Sequence, residues 1–344
     1  MRRGAAALRI VLLIAVLLTI GCGTDDPSLS LLQDSDIFQQ NVGARSTKVD
    51  ILWVVDNSGS MKTSQENLAA NFSSFIKDFQ KLNYDFQIGV ITTDAYRELY
   101  TSNSNFSKLK DGLGDNHSGE FVITPQTENI EDVFLTNIIQ GVNGSGDERA
   151  FQSIETALLN PFNSMFLRPE AFLAVVIVSD EDDFSRDSAA WKEDYKDPLL
   201  FSIQHYKDFL NQVKPPIGSS PRFSISAMGV WDEACRKSLS FARIGKRYGE
   251  LVEATGGTKS SLCGNFADEL EFLANDILEL ASQFYLSRIP IVDSIRILVN
   301  GVEMPKSGWT YLPESNSITF SKDFIPAEGE KIDVKYDPKD FNPK

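Results

Sequence analysis

The chain has 344 residues, 42% of them hydrophobic, with 33 Lys and Arg against 48 Asp and Glu for a formal charge of −15. That length supports more than one hydrophobic core. The acidic excess argues against a nucleic-acid backbone or an anionic lipid surface as an electrostatic partner, and three Cys and two His offer no CxxC or Cys/His metal pattern.

Arg2 and Arg3 precede an apolar stretch over residues 5–20. Its uninterrupted part, residues 10–20, is short of the roughly 20 residues that span a bilayer and suits a secretory signal. Gly21 and Cys22 close it. Cleavage there removes three Arg and no acidic residue, leaving 30 basic and 48 acidic groups and a charge of −18. Residues 24–46 are polar, show few periodic signals and read as a tether. From residue 48 onward, strand and helix patterns alternate. Residues 51–55 are an apolar, β-branched run, which reads as a buried strand. Residues 67–79 place Leu68, Phe72, Phe75, Ile76 and Phe79 at helical spacing. A second strand is predicted over 86–92, a short one over 119–124, and helices over 130–139 and 151–159. The run FLAVVIV, residues 172–178, reads as a central strand. A helix over 201–213, a strand over 223–230, a helix over 244–254 stopped by Gly256 and Gly257, and a long helix over 270–284 complete the series. This order predicts an α/β fold: a Rossmann-like, mostly parallel sheet with helices on both faces.

Residues 289–336 change character to short strands separated by Gly, Pro and Asn, the pattern of a small β domain of about 50 residues. Val292, Ile295, Ile297, Val299, Trp309, Tyr311, Ile318, Phe320, Ile332, Val334 and Tyr336 are its expected core. A unit this small is expected to pack against the preceding domain.

The chemistry gathers where the first strand ends, in Asp56-Asn57-Ser58-Gly59-Ser60. Asp56, Ser58 and Ser60 offer a carboxylate and two hydroxyls at two-residue spacing. They stand at the carboxyl end of a strand, where ligand sites form in parallel sheets. Such hard oxygen donors suit Mg²⁺ first, then Ca²⁺ or Mn²⁺; the same residue types also make ordinary turns. The central strand ends at Ser179 and Asp180, so Asp180 stands at the same end. Asp147 and Glu148 precede a helix at this rim, and Thr92, Thr93 and Asp94 follow the second strand there. Glu181, Asp182 and Asp183 read as a solvated acidic loop, with a second cation site as the alternative. Cys235 and Cys263, the two cysteines beyond the signal, are expected to join in an oxidising compartment. No nucleotide-binding glycine loop or nucleophile elbow occurs, so binding is expected and catalysis is not.

The Asp56-x-Ser58-x-Ser60 pattern after a buried strand, with Asp180 ending a later one, resembles the von Willebrand factor A (VWA) family and its metal-ion-dependent adhesion site. The resemblance covers residues 48–286. It implies a divalent ion held by Asp56, Ser58, Ser60 and Asp180, and a protein partner whose Asp or Glu completes the coordination shell. The family's middle ligand is a Thr in a loop before a helix; the matching loop, residues 144–148, has none, and Asp147 or Glu148 stands in its place. Gly21-Cys22 resembles the bacterial lipoprotein signal. That implies removal of residues 1–21, lipidation of Cys22, a tether over 22–47 and, with Gly23 next, an outer-membrane anchor. Residues 287–344 remain as the small β domain. The expected function is that of a metal-dependent, adhesin-like envelope lipoprotein. Two other readings stand beside it. One is a structural envelope lipoprotein without functional metal. The other is a Mg²⁺-dependent phosphatase similar to haloacid dehalogenases, which need a second Asp where Ser58 stands.

Overall fold

The computed structural model describes residues 34–39, 48–82, 84–217, 221–326 and 330–339. The signal at 1–21, Cys22 and the tether apart from residues 34–39 lie outside the described residues. In chain order the elements are strands β1 (Asp34–Gln39) and β2 (Lys48–Val55), helices α1 (Lys62–Ala70) and α2 (Phe72–Lys81), β3 (Asp85–Thr92), the single turn α3 (Glu98–Thr101), and the hairpin β4 (Gly112–Leu113) and β5 (Asn116–His117). Next come α4 (Ile130–Ile138), α5 (Ala150–Leu159), β6 (Phe172–Val178), α6 (Ile203–Val213), β7 (Phe223–Gly229), α7 (Glu233–Ser238), α8 (Lys246–Thr255), β8 (Lys259–Ser261) and α9 (Phe266–Ser282). Six short strands close the chain: β9 (Phe284–Tyr285), β10 (Arg296–Val299), β11 (Val302–Glu303), β12 (Trp309–Leu312), β13 (Ser317–Phe320) and β14 (Lys331–Tyr336).

Five parallel strands form the main sheet in the order β3-β2-β6-β7-β8. β2, β6 and β7 are buried almost throughout because both sheet faces are covered; β6 is wholly apolar, β2 is apolar apart from Lys48 and Asp50, and β7 alternates apolar residues with the small Ser224 and Ser226. On β2 the alternation assigns each residue to a face. Val49, Ile51, Trp53 and Val55 pack with α1, α2, α4 and α9, while Leu52 and Val54 pack with α5, α6 and α8. This is the expected Rossmann-like, VWA-like architecture. The chain runs from β2 outward to β3, then crosses back to β6 on the other side of β2. The carboxyl ends of β2 and β6 therefore flank a topological switch point, where α/β sheets hold ligands. Val55 pairs with Val178, so Asp56 and Ser179 leave the sheet at one level.

The expected helix over 67–79 is two helices broken at Asn71. The Asn71 carboxamide donates to Asn67 O at 2.8 Å, a local bond that competes with the helical ladder. The segment 119–124 is not a strand: Ile123 alone forms a bridge, to Ile88.

The carboxyl-terminal region is two antiparallel sheets, β1-β14-β10-β11 and β12-β13-β9. It starts with Phe284 in β9, before residue 287. It also recruits residues 34–39 of the presumed tether as β1, which pairs with β14 from Asp34–Tyr336 to Gln39–Lys331. Its core holds Ile295, Ile297, Trp309, Ile318, Phe320, Ile332, Val334 and Tyr336 as expected, with Phe284 and Leu286 added. Val292 is a correction: it sits in a 3-10 turn and is 41% exposed. Tyr311 packs at the core's edge, and Val299 is half-buried. α9 packs on β13 and joins this region to the main sheet's helical layer. No helix among the described residues is long and apolar enough to cross a membrane.

Candidate metal centre

Asp56 is the first residue beyond β2. Its amide donates to Val178 O at 2.9 Å, extending the β2–β6 ladder by one bond. Its side chain is fully buried. Oδ1 accepts from the Ser58 amide at 2.7 Å, and Oδ2 accepts from the Ser179 hydroxyl at 2.7 Å. The Ser58 and Ser60 hydroxyl oxygens lie 3.3 Å apart, and Ser60 Oγ donates to Asp180 Oδ1 at 3.1 Å. A continuous chain of polar atoms thus joins Ser58, Ser60 and Asp180 beside Asp56. These are the four residues that the sequence pattern singled out.

The 144–148 loop closes the second side. Asn57 O accepts from Gly144 N at 2.8 Å, and the Ser145 amide donates to both Asp94 carboxylate oxygens at 3.3 and 3.2 Å. Asp94 therefore positions this loop. Gly144 is closely approached: a Cβ there would lie 2.5 Å from the Asn57 carboxamide and would push it aside. Gln65 of α1 ties the same parts together. Its Nε2 donates to Asp56 O and Gly141 O at 2.8 and 2.9 Å, and its Oε1 accepts from Gln140 N at 3.0 Å.

Asp147 and Glu148 are adjacent but differently placed. Asp147 Oδ2 accepts from Arg149 Nε and Nη2 at 3.1 and 2.7 Å, a pair buried on both sides. Glu148 is 1% exposed; the Thr93 hydroxyl stands beside its carboxylate and opposes the rise in its pKa, but neither Glu148 oxygen nor Thr93 Oγ1 makes a well-formed hydrogen bond. Buried polar atoms without partners are rare and costly. The Glu148 carboxylate and the Thr93 hydroxyl are thus hard oxygen donors with bonding capacity to spare at the rim of Asp56.

The carboxylates of this rim also raise one another. Burial first, then the charge of Asp180, pushes the Asp56 carboxyl up to about 6. Glu148 rises well above the usual carboxylate range through burial and then Asp56. Glu181 is pushed up to about 8 by burial, then by Asp56, Glu193 and Asp180. Asp180 is raised by burial against the opposing bond from Ser60. Each carboxylate burdens the next, and a divalent cation among them would reverse the sign of that coupling. The donors are carboxylate and hydroxyl oxygens, the set a hard ion takes. Among the described residues no group of three or more His, Cys, Asp or Glu side chains forms a ready metal cage, so the set depends on the hydroxyls of Ser58 and Ser60.

The acidic run after Asp180 corrects the expectation of a solvated loop. Asp182 and Asp183 are fully buried. Asp182 accepts from the Arg247 and Tyr248 amides at 3.0 and 3.3 Å at the start of α8, and from Tyr195 Oη at 2.8 Å. Asp183 accepts from the Phe151 amide at 3.0 Å at the start of α5 and pairs with Arg247. Helix amino-termini carry unpaired N–H groups and partial positive charge, which draws these carboxylates inside. Ser179, which holds Asp56 Oδ2, was not identified as a site residue from sequence. Thr93 and Asp94 stand at the rim as expected. Cys235 of α7 and Cys263 form a disulfide with Cα atoms 5.6 Å apart.

No family model matches the chain, and no curated protein matches it. Among solved structures it is similar to the pilus adhesin SpaC from Lactobacillus rhamnosus GG in its open conformation. The TM-score is 0.43 at 12% identity, over 89% of this chain and 41% of that one. It is also similar to proximal thread matrix protein 1 from the mussel byssus, with a TM-score of 0.37 at 13% identity, over 72% of this chain and 51% of that one. The chain thus spans about half or less of each of these proteins.

Proposed function

We propose that this chain is a divalent-metal-dependent protein-binding module. Asp56, Ser58, Ser60 and Asp180 hold Mg²⁺, or Ca²⁺ or Mn²⁺, and Glu148 takes the place of the Thr found in related sites. One observation carries the reading: Asp56, Ser58, Ser60 and Asp180 gather their oxygens at the ends of β2 and β6, with the buried, poorly satisfied Glu148 carboxylate near Asp56. A bound ion supplies an electrophilic point at the switch of the sheet, and a partner's Asp or Glu completes its shell. Turnover is not part of the proposal, because Ser58 occupies the place where a phosphatase needs its acid–base carboxylate. Lipidation at Cys22 would tether the module to the bacterial outer membrane.

Calorimetry with Mg²⁺ and with Mn²⁺ tests the ion. Binding to the wild type is expected to weaken by at least roughly tenfold in Asp56→Ala and in Glu148→Gln, on the scale at which residues around a metal act. Equal affinity in all three proteins would refute the assignment. Release of phosphate from a generic phosphoester, abolished by Asp56→Asn, would replace this reading with the hydrolase.

A further inference from the structure

The seam between α9 and the β12–β13 hairpin is sealed at one end and open at the other. Side chains alternate along β13: Ile318 and Phe320 enter the carboxyl-terminal core, so Ser317 and Thr319 face α9. At the sealed end, Gln283 Nε2 donates to Ser317 Oγ at 2.6 Å, and the Ser315 and Ser317 hydroxyls share a bond of 2.7 Å. At the other end a cleft of about 350 Å³ separates Asn275, Leu278 and Glu279 of α9 from Thr310 and Thr319. Leu82, just before β3, also lines it. The cleft therefore lies toward the amino ends of the parallel strands, away from the rim of Asp56. Thr319 is 8% exposed, and its Oγ1 has no hydrogen-bond partner. A buried hydroxyl left without a partner is rare, and this one lines a cleft of the size that small ligands occupy.

The lining selects the chemistry of the occupant. No Lys, Arg or His lines the cleft among the described residues, so an anion finds no counter-charge there. The single carboxylate, Glu279, is exposed, and one solvated charge holds a cation weakly. The occupant is therefore neutral. At the mouth, the Asn275 carboxamide and the Thr310 hydroxyl both give and accept hydrogen bonds, and Glu279 accepts them. Sugar hydroxyls match that mixture. Leu278, Leu312 and Ile325 add an apolar wall that a plain sugar leaves unused. An acetamido group uses both parts: its methyl packs on the wall, and its carbonyl accepts from Thr319 Oγ1. We infer that this cleft binds an uncharged N-acetylhexosamine unit of a glycan. The cleft shares no residue with the metal centre, so the inference stands apart from the metal-dependent reading.

Saturation-transfer NMR of the whole protein in EDTA tests this, with millimolar N,N′-diacetylchitobiose and cellobiose as probes. Cellobiose carries hydroxyls where the first sugar carries acetamido groups, and it should bind at least roughly tenfold more weakly. Thr319→Val keeps the shape and removes the unpartnered hydroxyl. Without sugar the variant should melt no lower than wild type, yet it should bind the diacetyl sugar roughly tenfold more weakly. Asn275→Ala, at an exposed position of α9, should weaken the same sugar with Tm nearly unchanged. Equal binding of the two disaccharides overturns the assignment, as does affinity unchanged in both variants. No transfer to either sugar, the result expected if water alone fills the cleft, overturns it too. A clear loss of Tm in Thr319→Val would show a hydroxyl already satisfied within the protein and remove the premise. Competition by N-acetylalaninamide as strong as by the diacetyl sugar would make the cleft a peptide site instead.

Discussion

Replacing Asp56 by Asn separates the cost of the site from its use. In metal-free protein the Asp56 carboxyl sits at about 6, against an ordinary value of 3.8. Burial and Asp180 raise it, so the folded state holds the proton more tightly than the unfolded state. Below about pH 3.8 both states are protonated and nothing is lost. Between 3.8 and 6 stability falls as pH rises, and above 6 the full penalty applies, on the order of 3 kcal/mol. Asn keeps the acceptor for the Ser58 amide, and its amide group can donate to Ser179 Oγ, which then acts as acceptor. The metal-free variant should therefore be more stable than wild type at about pH 7.5, by up to roughly 3 kcal/mol or about 5 °C in Tm. The gap should close on acidification to pH 4. Adding Mg²⁺ at about 100 times its Kd should stabilise wild type by roughly 2.7 kcal/mol and the variant far less. Urea unfolding in EDTA and in Mg²⁺ at several pH values reads both effects. A variant less stable than wild type in EDTA at pH 7.5, or equal Mg²⁺ stabilisation of both proteins, would refute the reasoning.

Other outcomes follow from single contacts. Replacing Cys235 and Cys263 by Ser opens a link across 28 residues and should cost about 3–4 kcal/mol, seen as a drop in Tm that matches wild type in reductant. At the opposite end of the sheet, Asp50 is fully buried between Arg168, whose Nε donates at 2.8 Å, and Lys214, at 3.5 Å. Asp50→Ala leaves the buried Lys214 with backbone acceptors alone and Arg168 with Asp85 as its carboxylate, and should cost about 3 kcal/mol in urea unfolding. Gly144→Ala displaces the Asn57 carboxamide, the movable end of a half-buried side chain, and should cost about 1 kcal/mol or less. Because Asn57 follows Asp56, it should also weaken Mg²⁺ in calorimetry, whereas Gly59→Ala, open within 4 Å, should not.

The central strands were legible because burial on both faces leaves β2 and β6 long unbroken apolar stretches, Ile51 to Val55 and Phe172 to Val178. Asp56, Ser58 and Ser60 were legible because they are neighbours in sequence, and Asp180 because it ends a strand of obvious boundary. Ser179 was missed because its bond to Asp56 depends on the register of β6 against β2, which no local pattern encodes. Asp147 and Glu148 are alike in type and position, and only the fold-back of Arg149 onto Asp147 tells them apart. Asp182 and Asp183 were misread because the helix ends they bind lie 65 and 32 residues away in the chain. β1 escaped notice because the strand it pairs with is at the far end of the chain.

The arrangement of cations leads to the last expectation. The guanidinium groups around the site are committed: Arg149 to Asp147, Arg243 to Glu193 and Arg247 to Asp183. None of these three bonds reaches Asp56 or Glu148. Their charges must then be met by protons or by an ion from solution, and the two compete for the same oxygens. Mg²⁺ binding at about pH 6 should release protons from Asp56 and Glu148, measurable by pH-stat titration in weak buffer. Glu148→Gln should release fewer protons than wild type. At about pH 8 Asp56 is already ionised, so its share of the release should vanish. Mg²⁺ binding with no proton release at pH 6 would place the ion away from these buried carboxylates.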